Sequence, residues 1–273
     1  MPENAAFLPP APALGGTLFG AVLRDTTGLA LAEVERFNHF PASPLVSLTR
    51  VFRGETRLVP PGGDLAAARA APSLPPLSLT GPQSRPLTSW NPGPVTALSV
   101  AFYPDAWARL FGAAPADLAD RTTADLPAAL TRLLDTLPQT DDPATFWAGL
   151  QAGLAPDPSA APRLGDWART LVARAALSGP GRSLRATERR LRRWTGQSRQ
   201  SLAFFSSIEN LHALATRDPG IAPAALAQDA GYADQSHMGR AVRRATGFSP
   251  ARLNRLIESH PSFWCYRLLG KRF

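Results

Sequence analysis

The sequence predicts an α+β protein of two domains, a β-rich N-terminal half and an all-α C-terminal half. Short runs of alternating apolar residues separated by Pro- and Gly-rich turns fill residues 1–104, a texture typical of a small sandwich or barrel. From about residue 164 the apolar residues recur at helical spacing instead. A Pro- and Ala-rich break, APDPSAAP at 155–162, predicts the boundary between domains at 1–160 and 161–273.

Two stretches of the N-terminal half predict strands. PLVSLTRVFRGETRLV at 44–59 is rich in β-branched and apolar residues and is bounded by prolines. TALSVAFY at 96–103 alternates, so Leu98, Val100 and Phe102 are expected on one face of a sheet. NPGPV at 91–95 predicts the turn between them.

Helices are predicted to trail this β region over about 104–154. PDAWARLFG at 104–112 starts with proline at a first-turn position, followed by an acidic residue that suits the positive helix end. Two further stretches, 126–137 and 142–154, each carry an apolar stripe. The leucines of the first stripe fit a domain core and a homodimer interface equally well, and both alternatives stay open: Leu126, Leu130, Leu133, Leu134 and Leu137.

Composition narrows the class of protein. The chain has 273 residues, enough for two cores, and no apolar stretch approaches the ~20 residues that span a bilayer. Cys265 is the single cysteine, which excludes an internal disulfide and any multi-cysteine metal site. The first residues do not form a secretory signal, so we expect a cytoplasmic protein without membrane contact.

The positive charge is concentrated in the C-terminal half. Residues 161–273 contain 19 Lys and Arg against 7 Asp and Glu, a net charge of +12, whereas residues 1–160 carry a net charge of −4. A basic domain joined to a mildly acidic one indicates a polyanion-binding part with a separate partner function. An arginine-rich solvated surface would give the same charge.

Two short helices with a tight turn are predicted at 223–245. Gly231 suits the left-handed residue that ends the first helix, and Asp234 can cap the second. Met238, Ala241, Val242 and Ala245 recur at helical spacing and predict its buried face. The polar residues left outside crowd the N-terminal half, as a recognition helix in the major groove requires: Gln235, Ser236, His237, Arg240 and Arg243.

The same chemistry occurs twice. RRLRRWTGQS at 189–198 and RAVRRATGFS at 240–249 share six of ten residues at an offset of 51. The first copy predicts a helix at 184–194, preceded by a helix near 164–177 and a GPGR turn at 179–182, with Ser183 as N-cap. A long helix at 201–215 would join the copies, and Ser249 with Pro250 predicts the N-cap and first residue of a final helix.

Residues 226–253, LAQDAGYADQSHMGRAVRRATGFSPARL, are similar to the second helix-turn-helix of the AraC/XylS family of bacterial transcription regulators. Ten residues fall in register with that family's pattern: Ala227, Gly231, Asp234, Ser236, Arg240, Arg243, Arg244, Gly247, Ser249 and Pro250. Tyr232, Met238 and Val242 replace aromatic residues but stay apolar. The resemblance implies two helix-turn-helix units, at about 164–195 and 223–245, joined by one helix.

By that resemblance, Arg185, Glu188 and Arg189 lie where family members contact DNA, with Arg192 beside them on the outer face. This first copy is less typical, because Thr187 occupies a position usually held by leucine and GPGR replaces a polar turn. We therefore expect it to contribute phosphate contacts more than base contacts. The two recognition helices would enter successive major grooves about 34 Å apart.

Several of these residues have simpler explanations. Glu188 could pair with Arg192 one turn on rather than accept a hydrogen bond from cytosine. His237 could cap or solvate the first turn of its helix. Arg243 and Arg244 suit phosphate or solvent better than bases, whereas an arginine at the position of Arg240 occurs in both copies and favours base contact.

The resemblance also implies a cupin-like N-terminal domain that senses a small molecule, helices that dimerise, and contact with RNA polymerase at promoters. HFPASPLVSL at 39–48 and FYPDAWARLFG at 102–112 look like features of some of these regulators. His39 is the single histidine in residues 1–160, so neither a metal, a cofactor nor catalysis is expected. The predicted function is a sequence-specific DNA-binding regulator, an activator in the family's manner.

Two other functions fit parts of the sequence. The first is an architectural protein that coats DNA without strong sequence preference, and the second is a cupin-like enzyme with an appended DNA-binding module. The C-terminal tail PSFWCYRLLGKRF at 261–273 is apolar and aromatic, which suits packing back onto the helical module.

Overall fold

The computed structural model describes residues 5–157, 164–178 and 183–270. In the N-terminal part it contains nine strands in two antiparallel sheets. The first sheet has the order β1-β2-β8-β4-β6-β9 and the second β3-β7-β5. The strands are β1 Ala5–Leu8, β2 Leu18–Asp25, β3 Phe37–Phe40, β4 Val46–Arg53, β5 Arg57–Val59, β6 Leu77–Thr80, β7 Leu87–Trp90, β8 Thr96–Phe102 and β9 Thr122–Thr123.

The two faces of the first sheet differ in chemistry because side chains alternate along its strands. On β8, Leu98, Val100 and Phe102 are fully buried on one face, as the alternation predicts. Ala97, Ser99 and Ala101 point to the other face. Small and hydroxyl side chains therefore face the second sheet, while the large apolar side chains face the trailing helices.

Four helices accompany the sheets: α1 Leu65–Ala70, α2 Pro104–Phe111, α3 Ala128–Asp135 and α4 Pro143–Gly153. Proline begins α2, and Gly112 ends it in the left-handed region at φ 62°. Leu130 of α3 is fully buried in the same core as Trp107 and Phe146. The leucine stripe thus packs inside its own domain, with Leu137 buried and its other members half-buried against that core.

The C-terminal part is helical throughout its described residues. The helices are α5 Leu164–Leu177, α6 Leu184–Thr195, α7 Arg199–Arg217, α8 Pro223–Asp229, α9 Gln235–Thr246, α10 Pro250–Ser259 and α11 Trp264–Leu268. The first unit is α5 with α6, the second unit is α8 with α9, and α7 joins them. A two-domain α+β fold with a β-rich first half and an all-α second half confirms the predicted fold class.

Two sequence predictions fall outside the described residues. The GPGR turn at 179–182 is one, and most of the break at 155–162, where the domain boundary was expected, is the other. Among the described residues, no helix is long and apolar enough to cross a membrane.

We predict that Leu130→Ala lowers the free energy of unfolding by about 2–5 kcal/mol, since it leaves a cavity in the core. Chemical denaturation followed by tryptophan fluorescence measures the loss. Thr131→Ala, at the exposed neighbouring position, is the control and should change stability by less than about 0.5 kcal/mol. A Leu130→Ala protein of unchanged stability that converts from dimer to monomer would instead favour the interface.

Candidate nucleic-acid interface and interdomain cavity

The second unit presents the N-terminal half of α9 on a capped and buried scaffold. The Asp234 carboxylate accepts a hydrogen bond from the His237 backbone N–H at 2.6 Å. Gly231 has φ 81°, the left-handed conformation that lets the chain turn between α8 and α9. Met238, Val242 and Ala245 are buried, which fixes the rotation of α9 about its axis.

The opposite face of α9 is open to solvent. Gln235, Ser236, His237, Arg240 and Arg243 are all exposed there. The His237 ring lies edge-on to Tyr232 with centroids 5.3 Å apart, and its Nδ1 accepts a long hydrogen bond from Ala233. His237 therefore contributes to the local cap, while the others have no such role in the turn.

Arg244 differs from its neighbours. Its guanidinium carbon lies 4.2 Å from the centroid of the Phe204 ring on α7, a cation–π contact between the two helices. This places Arg244 in the packing between α7 and α9, although it remains exposed. The prediction that it binds DNA has to compete with that contact.

The first unit is capped in the same way. The Ser183 Oγ accepts a hydrogen bond from the Ala186 N–H at 3.2 Å, as expected of the N-cap. Thr187 is buried beside Ala186 and Leu191, and its Oγ1 donates to the Ser183 carbonyl at 3.3 Å. That bond explains how threonine is accommodated where leucine is usual.

On the outer face of α6, the ion-pair explanation of Glu188 is the one observed. Its Oε1 lies 3.2 Å from Arg192 Nε, and its Oε2 accepts from the Arg199 N–H at 3.2 Å. Glu188 therefore ties α6 to the start of α7. Arg185 and Arg189 are exposed on the same helix.

The sequence repeat is also a repeat of turn geometry. Helices α6 and α9 both end at a left-handed glycine, Gly196 with φ 71° and Gly247 with φ 84°. In both, the preceding threonine hydroxyl donates to the carbonyl four residues back and accepts from the N–H two residues on. The copies then diverge, because Ser198 caps α7 whereas the Ser249 side chain makes no capping bond in the described chain, and Pro250 alone begins α10.

The first unit shares its core with the N-terminal domain. One buried cluster contains Trp167, Leu171, Leu191 and Leu202 together with Leu45, Tyr103 and Ala106. The Tyr103 and Trp167 rings stack with centroids 5.3 Å apart.

Asp105 fastens this contact. Its buried carboxylate accepts from Trp167 Nε1 at 2.9 Å and lies 3.1 Å from Arg174 Nη1. The sequence indicated Asp105 only as a favourable charge in the first turn of α2. Its reach into the first unit joins residues 62 and 69 positions apart, which no local pattern reveals.

The aromatic tail packs differently from the sequence prediction. Phe263 and Tyr266 join the core of the second unit, as expected for packing onto the helical module. Trp264, however, turns to the N-terminal domain, where its Nε1 donates to the Asn38 Oδ1 at 2.8 Å. The Arg24 guanidinium lies over the same indole at 4.9 Å. The tail thus connects the second unit to both sheets.

A cavity of about 690 Å³ lies between the two sheets and the helical part. Its floor is the small and hydroxyl face of the first sheet, including Ser47, Thr49, Ser78, Ser99 and Ala101. Its other walls come from the second sheet, from α7 through Ile208, Glu209 and His212, and from the tail through Trp264 and Cys265.

The charges around this cavity are few and placed at its edges. Arg24, Glu209, His212 and Arg217 are the ionisable side chains along its walls, besides the Cys265 thiol. The Glu209 carboxylate accepts from the backbone N–H groups of Leu164 and Gly165 at 2.8 and 2.5 Å, so it caps α5. In the second sheet, Asn38 Nδ2 donates to Asn91 Oδ1 at 2.7 Å, which satisfies two buried amides.

Within the described ranges, no group of three or more His, Cys, Asp or Glu side chains could hold a metal ion. Nothing in the cavity walls brings a histidine and carboxylates together on the sheet floor.

Comparisons with known proteins give only a distant likeness. No family model and no curated protein match the chain. Similar solved structures include ToxT from Vibrio cholerae O395, at 11% identity over 80% of this chain and 93% of that chain, with a TM-score of 0.36. An apo ToxT from strain SCE256 gives 10%, 85%, 95% and 0.39, and an unsaturated fatty acid-bound ToxT from the same strain gives 9%, 92%, 96% and 0.36. TM-scores of this size do not establish a common fold.

We predict that stability falls as the pH drops from 6.5 towards 4, because His39 is buried between the domains. Burial, and secondarily the nearby His260, lower the pKa of His39 to about 4. The unfolded chain therefore binds a proton in this window that the folded chain refuses, so stability is complete above pH 6.5 and is lost on acidification. The contribution is about 3 kcal/mol at most, seen in the free energy of unfolding at pH 7.5 and 4.5.

His39→Phe is the control for that measurement. It keeps an aromatic ring stacked on Phe37 and Phe263 but cannot be protonated. The variant should lose about 3 kcal/mol less than the parent between the two pH values. Equal losses in both proteins would assign the pH dependence to other groups.

Proposed function

We propose that this protein is a sequence-specific DNA-binding transcription regulator whose C-terminal half reads two successive major-groove segments. The observation that carries the proposal is the N-terminal half of α9. Four of its polar side chains and Arg243 stand exposed on a helix whose cap and buried face fix their direction. A recognition helix needs this arrangement, and the C-terminal net charge of +12 supplies phosphate contacts.

Each unit has a different share in this proposal. In the second, Gln235, Ser236 and Arg240 read base edges and Arg243 binds phosphate. In the first, Arg185 and Arg189 contact the second groove, while Glu188 and Arg192 are mainly occupied with each other. The first unit therefore supplies affinity more than sequence discrimination.

The cavity is the proposed site of a small-molecule effector. Its volume of about 690 Å³ falls in the range of ligand pockets, and its walls come from both halves of the chain. A molecule bound there touches the β domain, the joining helix α7 and the tail at once. Activation, homodimer formation, contact with RNA polymerase and a cytoplasmic site of action complete the proposal and rest on the family resemblance of the second unit.

The architectural alternative differs in one measurable respect. A protein that coats DNA would lose affinity for all sequences equally when any surface arginine is removed. The enzyme alternative needs a reactive group in the cavity, and its test is turnover of a bound compound.

We predict that Arg240→Ala relaxes sequence preference at one position of the bound site, with a loss of about 1–3 kcal/mol, or about 5–150-fold, for the preferred base. Selection from a random duplex pool at two salt concentrations gives the preference. Arg243→Ala, the same substitution one turn along α9, should weaken binding to all sequences and reduce the salt dependence without changing the selected motif. If Arg240→Ala behaves like Arg243→Ala, the architectural function replaces the regulator.

We also predict that compounds which bind the cavity stabilise the folded protein and change its DNA affinity together. At 100 times its Kd, a ligand adds about 2.7 kcal/mol to the free energy of unfolding. A thermal-shift screen of small, mainly apolar compounds, followed by DNA-binding titration of each hit, checks this. Hits that are consumed rather than recovered unchanged would point to the enzyme.

A further inference from the structure

A short segment of the N-terminal domain lies between the two helix-turn-helix units. Residues 39–45, at the end of β3 and in the connection to β4, are called here the spacer segment. The backbone N–H of Ala42 donates to the Ala245 carbonyl at the end of α9, at 2.7 Å. The Gln197 Nε2 donates to the Pro44 carbonyl at 2.9 Å. One segment of seven residues thus holds both units.

The points of contact are equivalent in the two units. Gln197 follows the left-handed Gly196 after α6, and Phe248 follows the left-handed Gly247 after α9. Phe248 lies edge-on to His39, with ring centroids 5.9 Å apart. The same turn of each repeat therefore docks on the spacer segment, one near its start and the other near its end.

The spacer segment is stiff and anchored. It contains two prolines, Pro41 and Pro44, whose rings fix φ. Ser43 exchanges two backbone hydrogen bonds with Gln83, at 2.8 and 3.1 Å, which tie it to a neighbouring loop. Leu45 is buried in the cluster that closes the core of the first unit.

The other side of the same segment forms a wall of the cavity. Phe40, Pro41, Ala42, Ser43, Pro44 and Leu45 all line it, six consecutive residues. Any change in the shape of this wall must move the docking points of both units or be absorbed within two prolines and two backbone hydrogen bonds.

We propose that the spacer segment sets the distance and orientation between the two DNA-reading units, and that filling the cavity changes DNA binding by displacing it. The inference rests on the proposed function, whose regulation it specifies. A rigid pair of units gains affinity only when the half-sites match its spacing. One base pair shifts a half-site by about 3.4 Å along the axis, so a small displacement selects between spacings.

The first test measures the distance between the units without DNA. Spin labels at Arg189→Cys and Arg240→Cys, equivalent exposed positions, report it in the full chain with Cys265→Ser throughout. We expect a single narrow distance distribution that broadens in Gln197→Met, which removes the donor to Pro44. Gln200→Met, an exposed glutamine three residues on, is the matched control and should leave the distribution narrow. Equal distributions in the two variants would overturn the spacer.

The second test fills the cavity from its floor. Ala101 packs against the buried cluster that contains Leu45, whereas Ala97 lines the same cavity four residues earlier on β8. Ala101→Phe should therefore shift the mean label distance, and Ala97→Phe should not. No shift in a folded Ala101→Phe protein, or equal shifts in both variants, would show that the wall is not coupled to the units. If Ala101→Phe does not fold, the glutamine pair still decides whether the segment holds the units.

A DNA readout separates this inference from the proposed function. With unlabelled protein and duplexes whose half-sites are moved apart by one and two base pairs, we expect about a tenfold loss per step for Gln200→Met. Gln197→Met should lose less than about threefold per step while binding single half-sites normally. If the parent protein selects no motif, the regulator proposal fails although the label distances still report on the spacer. A motif with the same spacing dependence in both variants overturns the spacer alone.

Discussion

The arrangement of this protein depends on a core that the first helix-turn-helix unit does not close by itself. Tyr103, Ala106 and Leu45 from the β domain fill the space beneath Trp167 and Leu191. Asp105 adds a buried carboxylate that would be costly to leave unpaired, and Trp167 and Arg174 satisfy it. Because burial and hydrogen bonding act at one place, the first recognition helix is positioned by the N-terminal domain as much as by its own unit.

A second constraint is the period of the β-strands. Leucine, valine and phenylalanine occupy alternate positions on β4, β6 and β8, and this one face uses up the large apolar side chains against the trailing helices. The residues between them, such as Ser47, Ser78 and Ser99, are too small to fill the space up to the second sheet. The cavity is thus a consequence of side-chain volume on the inner face of the sheet. Residues from the helical half complete its walls.

Local chemistry was predictable and distant contacts were not. The cap at Asp234, the left-handed Gly231 and the buried face of α9 follow from residues within one or two turns of each other, so the sequence indicates them directly. The strand ending at Phe102 and the proline that begins α2 are similar cases. Asp105, Gln197 and Trp264 gave no usable signal, because their partners lie tens to hundreds of residues away. The alternatives left open for Glu188 and for the leucine stripe were decided by packing, which alternation and spacing do not encode.

The contact between Trp264 and Asn38 has a consequence for how the chain matures on the ribosome. The two residues are separated by 226 positions, so synthesis at about 5–20 residues per second leaves Asn38 waiting roughly 10–45 s for its partner. During that interval the β domain has emerged with one wall of its cavity missing and with Arg24 lacking the indole that later covers it. The nascent domain exposes a hydrophobic interior until nearly the whole helical half has followed. Its biogenesis is therefore a period in which chaperones that bind apolar surfaces have a substrate, and the tail ends that period by docking.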